Sequence, residues 1–161
     1  MISKTYTRLE LAQNQLEAAI GIFVSGGDRF SAISLAGAAD VILSSLLIAR
    51  GTENFTEFSL RLESERGGDP GSREEHGKEL NDTIFINDLK HMDDGDDGFV
   101  EMDPDECAMA AILKAIANFV SLAGKQHDFV QAFMAWMRFN LDPKKYNVYA
   151  DPDWKPQGNE V

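Results

Sequence analysis

The sequence predicts an all-α chain folded as an antiparallel up-and-down helical bundle of about five to six helices. Three observations carry this. Apolar residues recur at steps of three, four and seven through most of the chain. No stretch alternates with the period of two that a half-buried strand requires. Capping residues and glycines punctuate the apolar runs where helices should start and stop.

In the first segment Leu9, Leu16, Ile20 and Phe23 share one stripe, and Gly26-Gly27 end the helix. Asp28 stands where an N-cap belongs, and the second helix should run to about Arg50, before Gly51. It is apolar nearly all round (Phe30, Ile33, Leu35, Val41, Ile42, Leu46, Ile48), so it should be the most buried member. Thr52 is placed to cap a shorter helix with Phe55, Phe58 and Leu62 on one face. The run Arg66 to Gly71 is the clearest break. Ser72-Arg73-Glu74-Glu75 then reads as a capping box, opening a helix expected to reach about Met92.

An acidic loop follows, 93–106, closed by Asp103-Pro104-Asp105-Glu106, which supplies an N-cap, a first-turn proline and a glutamate at the third position. The next helix should turn Ala108, Ala111, Ile112, Ala115, Phe119 and Leu122 inward and stop at Gly124. A last helix, about Asp128 to Asn140, carries Phe129, Phe133, Trp136 and Met137. The expected organisation is one bundle, 1–142, and an extended C-terminal tail, 143–161, bearing Tyr146, Tyr149 and Trp154.

With 161 residues, 43% of them hydrophobic, the chain can bury its own core. Cys107 is the only cysteine, which suits a reducing compartment. The first residues lack a signal peptide's apolar core, so the expected location is cytoplasmic. Phe30 to Ala49 nearly matches a membrane span in length, but Asp40 at its middle and four serines favour a core helix and no membrane. Acidic residues outnumber basic ones 27 to 15, a net charge of −12, which argues against general nucleic-acid binding.

The functional candidates lie near the end of the fourth helix. On helical spacing Leu80, Ile84, Asn87 and His91 form one stripe, so two polar side chains intrude on an apolar face. The segment Ile86-Asn87-Asp88-Leu89-Lys90-His91 resembles the signature of HEPN domains. These are small helical bundles whose members include metal-independent ribonucleases of toxin–antitoxin and phage-defence systems. Aligned on His91, Asn87 matches the motif's second position, and Ile86 stands where the family has arginine.

The resemblance implies a homodimer with its motifs facing across the two-fold axis and a role in binding RNA, nucleotide or a protein partner. His91 is then the candidate general acid–base, Asn87 its positioner and Lys90 a phosphate contact. Isoleucine cannot replace the bidentate fork of arginine, and lysine offers only a point charge. Nuclease chemistry is therefore expected to be weak or lost. Asp40, on the second helix, is the supporting candidate: it hydrogen-bonds Asn87 or His91, or else it faces solvent or another partner. The competing reading of Asn87 and His91 is structural hydrogen bonding near a helix end.

No cofactor or metal is expected. A calcium-loop register beginning at Asp93 fails at its third and twelfth positions, Gly95 and Pro104. Acidic neighbours oppose a thiolate at Cys107. His76 and His127 lack ligand spacing and are expected at the surface. The rival function is a non-enzymatic interaction module that engages a basic protein partner through the acidic loop and the aromatic tail.

Overall fold

Thr7 opens the first helix through a reciprocal capping box: its hydroxyl accepts from Glu10 N–H at 3.1 Å while its own N–H donates to the Glu10 carboxylate at 2.6 Å. The structure, a computed structural model, describes residues 3–69, 71–84, 86–92 and 94–142. Among these, six helices form and no strand: α1 (Arg8–Val24), α2 (Arg29–Ala49), α3 (Phe55–Glu65), α4 (Arg73–Thr83), α5 (Pro104–Ala123) and α6 (Asp128–Asn140). The helical bundle is therefore as the periodicity predicts. The chain divides into two compact units, one through Lys125 with α1–α5 and one from Gln126 onward with α6. The expected tail, with Tyr146, Tyr149 and Trp154, lies outside the described residues.

In the first unit α1, α2 and α5 pack on one another, and α3 packs on α4. Leu16, Ile33, Leu43, Leu47, Ile112 and Phe119 are fully buried there. Side chains of this size contribute about 1.5–3 kcal/mol each when removed from water. The small residues Ala32, Ala36, Gly37 and Ala39 of α2, all buried, let neighbouring backbones come close. α5 buries ten of its 20 residues against eight of 21 in α2, so α5 and not α2 is the most buried helix. The outer side of α2 keeps Phe30, Val41 and Ile48 exposed. Both helices are long and apolar enough to cross a membrane by length and composition.

α1 and α2 form an antiparallel hairpin whose turn depends on Gly26 at φ +76°. Arg29 locks it. Its guanidinium sits 4.5 Å over the Phe23 ring, donates to the carbonyls of Phe23 and Gly27, and pairs with Asp105. α2 and α5 run parallel within the bundle. Arg29 meets Asp105 at their first turns, Asp40 meets Lys114 and Asn118 midway, and Arg50 reaches the Leu122 carbonyl at their ends. The α3–α4 excursion makes this possible by returning the chain to the starting end.

Thr52 is not the cap of α3. Its N–H bonds back to the Leu47 carbonyl and closes the end of α2, with Gly51 at φ +66°. The cap is Asn54, only 2% exposed, which forms a capping box with Glu57 and donates its amide to Ser44 at 2.6 Å. None of the α3 residues is buried, and Phe58, on the face shared with Phe55 and Leu62, lies exposed beneath the Arg61 guanidinium. Ser72 and Asp103 cap α4 and α5 as predicted, and Gly124 ends α5 at φ +82°. In the second unit α6 carries Val130, Phe133 and Met137 as its buried residues.

Candidate functional site

Where the sequence predicts helix to about Met92, α4 stops at Thr83. The physical cause is a competition for the helix's last polar groups. Asn81 turns its side chain to Lys114, its carbonyl accepts from Ile86 N–H at 3.0 Å, and the Asp82 carboxylate accepts from the Asn87 amide at 2.7 Å. Leaving the helix also lets Ile86, 3% exposed, enter the core against Gly37 of α2. Burial of that side chain outweighs one more helical turn, because tertiary packing and not local propensity supplies most helix stability.

Asn87 to His91 therefore form a single turn rather than a helix end, with the N–H groups of Lys90 and His91 both bonded to the Asn87 carbonyl. Leu80, Ile84, Asn87 and His91 do not share a helical stripe. Asn87 is half-buried, whereas Lys90 and His91 are exposed. The position that holds arginine in the resembled motif points into the core here, as Ile86.

Two adjoining depressions flank Asn87. One, of about 600 Å³, is lined among the described residues by Lys78, Asp82, Asn87, Asp88, His91 and Asp96. The other, about 610 Å³, is bordered by Ser72, Glu74, Glu75, Lys78, Asn81 and Asn87. Asn87 and His91 line one depression together, from a turn and not from a helical stripe. Lys90 does not line either depression; Lys78 stands there instead.

Asp40 does not meet the motif. It is 5% exposed and bonds Lys114 Nζ at 2.8 Å and Asn118 Nδ2 at 2.7 Å. Lys114 Nζ also donates to Asn81 Oδ1 at 2.7 Å, and Asn118 Oδ1 accepts from Phe55 N–H at 2.7 Å. One buried network thus ties α2, α5, the start of α3 and the end of α4, and it reaches the depression's edge through Asn81. The mid-helix carboxylate is paired with a cation and hydrogen-bonded, as burial demands. Sequence reasoning passed over Lys114 and Asn118. The usable signal was their four-residue spacing among Ala111, Ile112, Ala115 and Phe119, a polar pair on an inward stripe.

Electrostatically the described lining of the His91 depression holds three aspartates and one lysine, so its field attracts cations and repels phosphate. In the acidic loop the Asp96 carboxylate accepts from Gly98 N–H and the Asp97 carboxylate from Phe99 N–H, closing tight turns on the loop's own backbone. Asp93, the first position of the calcium register, lies outside the described residues. Among those described, no group of three His, Cys, Asp or Glu is placed to hold a metal ion. Cys107 is buried, and desolvation, with Asp103 and Glu106 adding to it, pushes its thiol pKa up. His76, expected at the surface, is buried at 5% exposure.

No protein-family model, curated protein or solved structure matches the chain.

Proposed function

We propose that this protein is an interaction module whose acidic depression receives a cationic segment of a protein partner. The observation that carries this reading is the lining around His91: among the described residues, Asp82, Asp88 and Asp96 against one lysine, Lys78. A net charge of −12 steers a basic partner toward that face and raises its association rate. Met92, Phe99 and Val100, exposed in and beside the acidic loop, supply apolar contacts for the same segment. The test is fluorescence anisotropy with a labelled Lys/Arg-rich peptide at low and physiological salt. Binding should weaken with salt, and Asp82→Asn, Asp88→Asn, Asp96→Asn together should weaken it about tenfold or more. Equal binding by this triple variant sinks the reading.

A second reading is favoured by Asn87 and His91 lining one depression with a lysine at its edge. On it the chain is a HEPN-like homodimer of the cytoplasm that binds RNA or nucleotide in a defence or regulatory system. Ribonuclease activity would be weak or lost, because Ile86 leaves no guanidinium for phosphate. Incubating RNA in chelator with the protein and its His91→Ala variant decides this. RNA loss that depends on His91 supports a retained catalytic role, and equal loss in the two samples removes it.

A further inference from the structure

Ser59 and Glu63 stand one turn apart on α3 and face His76 of α4. Ser59 Oγ lies 3.1 Å from His76 Nε2, and Glu63 Oε2 lies 3.5 Å from His76 Nδ1. The imidazole is almost wholly enclosed, Ser59 is half-buried, and the Glu63 side chain is about half exposed at 48%. Nδ1 is buried without a hydrogen-bond partner, and the carboxylate facing it is a few tenths of an ångström beyond bonding range.

These positions choose the tautomer. A neutral imidazole carries one proton, and the nitrogen without it presents a lone pair. A lone pair on Nδ1 facing the Glu63 carboxylate is repulsive, so the proton belongs on Nδ1 and Nε2 becomes the acceptor. The Ser59 hydroxyl then donates to Nε2. That is the order nucleophile, base and orienting carboxylate by which a serine is activated, and such contacts are often loose before substrate binds.

We propose that Ser59, His76 and Glu63 form a base-activated serine that accepts an acyl group from an activated ester. Ser59 Oγ attacks the carbonyl carbon, the Oγ–acyl bond forms and the ester C–O bond breaks. The hydroxyl proton passes to His76 Nε2 and then to the departing alcohol. Water, deprotonated by the same nitrogen, returns the serine and releases the acid. Ser59 is the nucleophile, His76 its base, and Glu63 a positioning residue that acts through the imidazole. This goes beyond the partner-binding reading and does not rest on it.

The experiment treats the full-length protein with a fluorophosphonate probe and locates the adduct by mass spectrometry. The expected result is a single adduct on Ser59, absent in Ser59→Ala, which keeps the imidazole packed. His76→Gln should slow labelling about 100-fold or more, the usual contribution of a positioned base. Glu63→Gln, at a half-exposed position, should slow it less, and Glu63→Asp should recover part of the rate, a recovery that packing by the shorter side chain would not produce. Folded wild-type protein without an adduct on Ser59 overturns the proposal, whatever the stability of the variants. So does an adduct that forms as fast in folded His76→Gln.

Discussion

Lys114 Nζ lies 2.8 Å from Asp40 Oδ2, with the two side chains 6% and 7% exposed, midway along the parallel pair α2 and α5. Each charge has a second partner, Asn118 for Asp40 and Asn81 for Lys114, so the pair is neutral, hydrogen-bonded and shared among several helices. Removing one member leaves the other charge buried and alone. Asp40→Asn should therefore destabilise the protein by about 3–5 kcal/mol, read as a lower midpoint in urea unfolding. The double variant Asp40→Leu, Lys114→Met should recover part of that loss. Full additivity of the two single losses would show that the pair is not coupled.

Gly37 and Ile86 provide a second test. A Cβ at position 37 would meet Ile86 Cγ2 at 2.9 Å, and a β-branched methyl has little room to give. Gly37→Ala should cost about 1–3 kcal/mol by overpacking. It should also displace the turn that carries Asn87 and His91, visible as shifted amide resonances of residues 86–91. Adding Ile86→Val should relieve part of the cost. An additive double variant would contradict the close approach.

The helix starts should loosen in acid. Backbone and side-chain bonds from Thr7 hold the Glu10 carboxyl below its usual value of 4.5, and those from Ser72 do the same for Glu75. The hydroxyl and N–H of Ser31 hold Asp28 below 3.8. A carboxylate depressed by folding contributes stability that is present above its unfolded pKa and lost as pH falls through its folded one. Amide exchange in the first turns of α1, α2 and α4 should therefore quicken relative to the intrinsic rate as pH falls below those values. Protection unchanged down to about pH 2 would remove this account.

Ser72→Ala isolates one of these caps. It should cost about 1 kcal/mol and free α4 locally, with faster exchange at its first turn and little change in α1 or α2. A loss spread evenly over all helices would show that α4 does not open by itself.

Cys107 should behave as an inert thiol. Burial raises its pKa, and Asp103 and Glu106 raise it further. Reaction with a disulfide reagent near neutral pH should be about 100-fold slower in the native protein than in denaturant. Comparable rates in the two states would place the sulfur at the surface.

Legibility in the sequence followed the range of the interactions. The caps at Asp28, Ser72 and Asp103 and the stops at Gly26, Gly51 and Gly124 were readable because each depends on residues within a turn of itself. The cap of α3 lies two residues beyond Thr52, at Asn54, although both residue types are favoured at helix N-caps. Asn54 wins because Ser44 and the closing bond of Thr52 to Leu47 belong to the preceding helix. The end of α4 was misread for a longer-range reason, the notch that Gly37 offers Ile86.

By itself the sequence determined the helical class, the positions of most helix ends and the acidic character of the chain. Tertiary structure alone decided who meets whom. Asn87, His91, another partner and solvent are all open to Asp40 in the sequence, and it meets another partner, Lys114, because α2 and α5 run parallel and bring their middles together. His76 looked like a surface residue and became a buried neighbour of Ser59 and Glu63 when α4 folded onto α3. Local capping bonds are encoded within a few residues, whereas the partner of a buried charge depends on which helices the core brings side by side.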